Sequence, residues 1–364
     1  MATLNADDRA RSEITALRLS AQRISRDRLE TPADVVRWML AMQAQDFPGA
    51  KWSVGLRTEH ATDSAVEAAL AAGEIVRSWP MRGTLHVVAP EDLWWILGIT
   101  GPRQRNLMAK RRRDLEISDH DLARAGDVAS SELTGGRVIR RDALLEAWDA
   151  AGISPAGQRG YHLLWNLAQE RHLVFGPVDG KHHTFALFDE WIGSSRDLDG
   201  DAALAELATR YFVSHGPATE RDFAWWASIT LGQARLGIAA STGLERREFG
   251  GVTYYLQEGL EPAGSDVAAL PGFDEYVLGY QDRTAALTPE RFEKIVPGGN
   301  GIFYPTLVID GEILGTWKRT ETTKTIVVTV DPFTSLSARA RAEFTRAMTR
   351  YEAFIGKPVE VRFP

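Results

Sequence analysis

The sequence predicts an α+β protein of repeated three-helix-plus-hairpin units, closed by a small β-rich domain. Three observations predict it. Apolar residues recur at helical spacing in successive groups of helices. Each group ends in short strands around a turn. After about residue 270 the helical spacing gives way to strands and an Asp-Gly turn.

In the first group, Val35, Met39 and Met42 fall at i, i+4 and i+7, with Val36, Trp38 and Leu40 widening the apolar face, so residues 33–42 read as a core-packed helix. Thr31-Pro32 opens it, with Thr as N-cap and Pro at the first position. Pro48 disfavours helical geometry at Phe47, so the helix is expected to end there. At that end stands Gln43-Ala44-Gln45. Residues two apart on a helix point about 200° away from each other, so both glutamines can serve one site only if the helix stops near them. Residues 63–76 form an amphipathic helix (Val66, Leu70, Ile75). After Ser78-Trp79-Pro80 the run 81–88 is extended, where Arg82 and His86, four apart, would share a face. Three helices and a β-wing in about 80 residues make the winged variant of the helix-turn-helix.

Pro90 starts another helix carrying Trp94, Trp95 and Leu97. Gly101-Pro102 then opens residues 103–113, which hold Arg103, Arg105, Lys110, Arg111, Arg112 and Arg113 and no acid. The pattern repeats. Residues 119–151 give two helices with Arg140 and Arg141 between them, and 158–171 a third with Leu163, Leu164 and Leu167 inward. Residues 173–187 form a hairpin turned at Asp179-Gly180, with Lys181, His182 and His183 at its tip. Residues 194–201 read as a linker. A third copy has helices at 203–215, 219–227 and 231–242 and strands at 246–249 and 252–257. Thereafter 273–279, 306–309, 313–318 and 325–330 are strand-like, with a turn at Asp310-Gly311, a long helix at 335–355 and a last strand at 359–363. The expected fold is tandem winged-helix (helix-turn-helix) domains followed by a small C-terminal β-rich or barrel domain with one packed helix. The boundaries are 1–100, carrying the glutamine pair; 101–193, with the basic helix; 194–260; and 261–364.

Composition bounds the function. With 44% hydrophobic and 25% charged residues the chain of 364 matches an ordinary globular protein. No apolar run approaches the roughly 18 residues needed to span a membrane, and residues 1–11 lack a signal-peptide core. The expected home is the cytoplasm. The absence of cysteine excludes disulfides, thiol nucleophiles and cysteine-bound zinc. No H-E-x-x-H is present, and neither a P-loop nor G-x-G-x-x-G opens a strand-to-helix turn, so no metal and no cofactor are expected. The Pro-Gly-Gly-Asn-Gly run at 297–301 reads as a loop needing positive φ. A net charge of −7 argues against a uniformly basic coat and leaves local patches open; 103–113 is the most concentrated one. Only 7 of the 42 basic residues are lysine, which fits GC-rich codon usage.

Tandem winged helices with local basic stretches point to nucleic acid. Gln43-Ala44-Gln45, Arg82-Gly83-Thr84-Leu85-His86, Phe273-Asp274-Glu275-Tyr276 with Gly279-Tyr280 and Asp282-Arg283, and 297–303 leading to Gly315-Thr316-Trp317 together resemble the AlkZ/YcaQ-like family of winged-helix DNA glycosylases. Their order and spacing carry the resemblance over nearly the whole chain. It implies a monofunctional DNA glycosylase acting on bulky or crosslinked N7-alkylpurines in double-stranded DNA, a role in base excision repair or self-resistance, and a monomer associated with the nucleoid. The family's catalytic glutamine–apolar–glutamine element maps onto Gln43 and Gln45, with Ala44 smaller than the usual aliphatic.

Glutamines suit that chemistry. An N7-alkylpurine is cationic and already a good leaving group, so the enzyme needs only to hold a water and face an oxocarbenium-like sugar with carbonyl oxygens. Read from the residues alone, Gln43 and Gln45 are helix-end side chains bonding free carbonyls. Arg82 and His86 either line a DNA channel, or Arg82 pairs with a buried acid such as Asp46. Residues Arg103, Lys110, Arg111, Arg112 and Arg113, with Lys181, His182 and His183, are expected at phosphates. Asp274, Glu275 and Arg283 are expected in an internal salt bridge of the barrel. A non-catalytic winged-helix regulator, and a protein that sequesters an alkylating small molecule, are the alternatives.

Overall fold

The computed structural model describes residues 6–364; residues 1–5, part of the N-terminal stretch read above, lie outside the described residues. The first group comprises α1 (Ala6–Ala21), α2 (Pro32–Met39), β1 (Ala41–Gln43), α3 (Phe47–Arg57), α4 (Asp63–Ala71), β2 (Val76–Met81) and β3 (Thr84–Val88). Thr31 caps α2 in a full capping box with Asp34, as its sequence predicts.

Helix α4 ends at Ala71 and not at 76, where β2 begins, and three further details depart from expectation. Helix α2 stops at Met39, because Leu40 takes a non-helical conformation at φ 66° and ψ −51°, and the chain enters a strand instead of continuing to Gln45. Pro48 accordingly lies in the first turn of a new helix, α3, where a helix end was expected. The run 81–88 is not one strand: β2 and β3 form a hairpin whose two-residue turn, Arg82-Gly83, has φ of 56° and 66°.

Helix α5 (Pro90–Asp114) is one 25-residue helix running through Pro102 rather than two. Then come α6 (Asp119–Leu133), β4 (Ile139–Arg140), α7 (Arg141–Ala150), α8 (Arg159–Gln169), β5 (Leu173–Phe175), β6 (Thr184–Leu187) and α9 (Phe188–Trp191). The third group has α10 (Gly200–His215), α11 (Glu220–Ala227), α12 (Leu231–Ala240) and the hairpin β7 (Leu244–Phe249) and β8 (Val252–Gln257). The remainder contains β9 (Val267–Leu270), α13 (Glu275–Leu278), α14 (Pro289–Ile295), a 3₁₀ turn at Pro297–Gly299, β10 (Thr306–Ile309), β11 (Glu312–Glu321), β12 (Ile326–Pro332), α15 (Ala338–Ile355) and β13 (Val359–Arg362).

The hairpins of the first two groups do not stand free. They join in a six-stranded sheet, β1-β3-β2-β5-β6-β4, whose seam is the pairing of Arg77 on β2 with Phe175 on β5. The C-terminal strands form an open five-stranded sheet, β13-β12-β11-β10-β9, with β9 and β13 at opposite edges, not a closed barrel. Asp310-Gly311 makes the expected two-residue turn, with positive φ at both positions. Residues 273–279 are not a strand, because Asp274 accepts a bond from Tyr276 N–H and starts α13.

Packing ties the ends of the chain together. Helix α15 buries Phe344, Met348, Tyr351 and Phe354 in one apolar cluster with α2, α3, α4 and the five-stranded sheet. Trp52 of α3 lies 5.1 Å from both the Tyr351 and Phe354 rings, each such burial being worth about 1.5–3 kcal/mol. Gly55 permits this approach: a Cβ there would sit 2.4 Å from the Phe354 ring. The glutamine-bearing β1 is thereby fixed between two packed bodies.

Candidate active site

Strand β1 is the edge of the six-stranded sheet, and Gln43 lies opposite His86 on β3. The ladder runs one residue further, with Ala44 N–H donating to Leu85 O at 2.7 Å. Strand alternation therefore places Gln43 and Gln45 on one side and buried Ala44 on the other. The two can converge through a period of two, not through a helix end. Their surroundings differ. Gln43 is buried, 9% exposed, and among the described residues nothing bonds its carboxamide. Gln45 is exposed, and its Oε1 accepts from Leu85 N–H at 3.0 Å, taking the place of a backbone acceptor and leaving one lone pair free.

Glu275 holds this edge from behind. Its Oε1 accepts from Gln43 N–H at 2.9 Å, and its Oε2 accepts from the Trp226 indole N–H at 2.9 Å. His215, stacked on Tyr211, approaches Oε2 at 3.5 Å, and Arg82 Nη2 approaches Oε1 at 3.9 Å. Burial pushes the Glu275 carboxyl up, but facing His215 and Arg82 it ends lowered to about 2, so it is an anion. The expected barrel salt bridge is absent. Asp274 instead pairs with Arg57 of α3 through two 2.9 Å bonds, both side chains fully buried, and Glu275 serves β1 and α11.

Arg82 and His86 do meet, at 2.9 Å between Nη2 and Nε2, although Arg82 sits in the turn and not in a strand. Arg82 faces Glu275, not Asp46 as considered above, and also donates to Leu278 O. His86 is fully buried, so as placed it reaches DNA only through Arg82. Burial and the Arg82 charge depress it to about 3. It is therefore neutral, with Nδ1–H donating to Thr84 O at 2.9 Å and Nε2 accepting from Arg82, a tautomer assigned from these bonds. Outward from Arg82, the half-buried Trp225 ring lies between the guanidiniums of Arg82 and Arg283, at 5.2 and 5.1 Å. Arg283 continues to Phe303, which packs on Phe273. The 297–301 loop precedes this wall and has positive φ at Gly298, Gly299 and Gly301.

The basic helix starts beside the same turn: a Cβ on Gly83 would lie 3.4 Å from Met108 of α5. Arg103 and Arg113 are exposed and unpaired among the described residues. Lys110 pairs with Asp114 at 2.8 Å, Arg112 with Asp119, and Arg111 donates to Gln158. A cavity of about 420 Å³ is lined by Arg105, Arg112, Arg113 and Asn166. Lys181 is exposed, His182 bridges Asp179 through the backbone, and His183 is half-buried against Arg77. Sequence reasoning missed Trp226, Trp225 and His215. The Phe-Asp-Glu-Tyr run was the available signal, but its partners are scattered, from Trp226 at 49 residues before Glu275 to Gln43 at 232.

The candidate site is thus an edge strand with two glutamines, backed by a carboxylate and flanked by cations. The chain belongs to the family described as DNA glycosylase AlkZ-like, which matches residues 36–354, and it is thus a DNA glycosylase. It is 24% identical over 342 residues to the interstrand DNA cross-link repair glycosylase of Streptomyces sahachiroi, covering 88% of this chain and 91% of that protein. The solved structure of Streptomyces sahachiroi DNA glycosylase AlkZ shares its mixed α/β fold, with a TM-score of 0.82, 22% identity, and 97% and 99% of the two chains covered.

Proposed function

We propose that this protein is a monofunctional glycosylase that hydrolyses the N-glycosidic bond of bulky or crosslinked N7-alkylpurines in duplex DNA, interstrand crosslinks included. The observation that carries the reading is the free carboxamide of Gln43, on a sheet edge whose backbone N–H at Gln43 is held by Glu275, two residues from Gln45. The carbonyl oxygens of Gln43 and Gln45 hold a water against C1′. Its oxygen bonds C1′ as the C1′–N9 bond breaks. The bonding pair quenches the positive charge of the alkylpurine, which leaves neutral, and the water proton passes to solvent. The developing sugar cation faces neutral amide oxygens, so no strong base is needed. Lys51, the lysine of α3, is held by Asp63 and Glu67 at 2.6 Å each, which supports hydrolysis over Schiff-base chemistry.

We read the chain as three tandem winged-helix units (1–100, 101–193, 194–260), the first two joined by α5 and the shared six-stranded sheet, and a β domain (261–364), acting as a monomer in the cytoplasm. Arg103, Arg113 and Lys181 supply phosphate contacts, with Arg82 nearest the lesion. DNA bearing N7-alkylguanine, incubated with the protein and then treated with alkali, is expected to break at the lesion. Intact strands across monoadducts and crosslinks would contradict this reading and favour a DNA-binding role without catalysis.

A further inference from the structure

Arg77 is a buried arginine that the chemistry above does not use. Its side chain is 3% exposed and no carboxylate pairs with it. The guanidinium lies between two rings, 4.4 Å from the centroid of Phe47 and 4.7 Å from that of Phe175. Nη2 reaches His183 Nδ1 at 3.2 Å, while Nε and Nη1 have no hydrogen-bond partner. Burial alone lowers its pKa, to about 10, so it remains a cation at neutral pH. A buried charge with unmade bonds is costly, by several kcal/mol in general, unless something else requires it.

Its surroundings say what that is. The cation stands at the seam between β2 and β5, under the half-buried Phe47 and His183. Phe47 follows Gln45 by two residues, so the seam adjoins the glutamine loop. Arg141, exposed and without an ion pair among the described residues, donates its backbone N–H to His183 O at 2.9 Å. Lys181, also exposed, is two residues from His183. Arg77 and Arg141 both lower the His183 pKa, after burial. Positive groups thus gather here, and nearby acids are engaged elsewhere: Asp179 by Arg140, and Asp63 and Glu67 by Lys51, whose ammonium lies over Phe47.

We propose that Arg77, with His183 and Arg141, forms a seat for one backbone phosphodiester of DNA beside the glutamine site. The phosphate displaces the Phe47 ring from the guanidinium and accepts the unmade bonds of Nε and Nη1. This rests on the DNA glycosylase reading. It adds that docking of the backbone is coupled, through Phe47, to the segment carrying Gln45.

The test is binding of a fluorescent duplex across a salt series, with thermal unfolding measured alongside, for the wild type, Arg77→Met and Arg141→Ala. Each seated phosphate contributes about 0.9 to the slope of log K against log salt. Arg77→Met is expected to bind roughly tenfold more weakly at low salt, with a slope shallower by about that amount, while its melting temperature holds or rises. The exposed Arg141→Ala is expected to lower the slope without touching stability, which keeps the test valid should Arg77→Met fail to fold. An unchanged slope in either folded variant would overturn the seat. A fall in melting temperature with unchanged slope would make Arg77 seam packing only. Failure of the wild type to bind duplex would instead contradict the DNA reading, and the seat with it.

Discussion

Arg57 and Arg77 are both buried arginines, yet the protein treats them oppositely. Arg57 on α3 gives bidentate bonds to Asp274, further bonds to Gln22 and Ser53, and leaves no donor unmade. Arg77 on β2 has two aromatic faces, one histidine and no acid. The first arrangement is what scaffold requires: a fully satisfied ion pair that fixes α3 against α13 and so sets Glu275 behind Gln43. The second leaves its charge available. Satisfaction of donors, more than burial, separates the groups that hold the site from those that await a ligand.

The comparison can be broken by mutation. Asp274→Ala strands the Arg57 charge and is expected to destabilise by about 3–5 kcal/mol, read by denaturant unfolding, whereas the paired change Arg57→Met with Asp274→Leu recovers most of it. If the single change cost under 1 kcal/mol, the pair would not be the clamp described. Glu275→Gln is expected to lower single-turnover glycosylase rates about 10- to 100-fold with less effect on duplex affinity, because it loosens the Gln43 edge rather than the DNA surface. Equal losses in both would assign Glu275 a general folding role.

Acid offers a gentler probe. His86 and His215 are depressed in the fold, chiefly by burial, so the unfolded chain takes protons near pH 6.5 that the folded chain refuses. Their contribution is full above pH 6.5 and is lost on acidification, for His86 down to about 3. Glu275, lowered from 4.5 to about 2, adds a loss in the same direction below pH 4.5. A melting temperature falling from pH 6.5 is expected, with a smaller fall in His86→Asn. The smallest effect is on Arg77→Met, where stability is expected to hold or rise by up to about 1 kcal/mol; a clear loss would erase the contrast with Arg57.

Much of this architecture was legible in the sequence. The capping box at Thr31, the hairpin at Asp310-Gly311 and the long helix closing the chain follow local rules that the structure obeys. The glutamine pair was found, but its geometry was misread. Nothing local announces that Leu40 will take a positive φ; the chain beyond it pairs as β1 with β3, more than forty residues on. Likewise Pro48 signals a helix boundary without saying whether it is an end or a start. The Glu275 network escaped because its members come from β1, the β2–β3 turn, α10, α11 and α13, and no periodicity connects them. Arg77 fell between an expected helix and an expected strand; only the absence of an acid partner in the seam, a fact of tertiary packing, marks it.

The central claim is that Gln43 and Gln45 carry hydrolysis while Glu275 and the cations position and bind. Single-turnover excision of N7-alkylguanine from duplex DNA, measured beside binding of the same duplex, tests it most directly. Gln43→Ala and Gln45→Ala are expected to slow excision by about 10²-fold or more with duplex affinity nearly unchanged. Excision at the wild-type rate in the double variant would contradict the account.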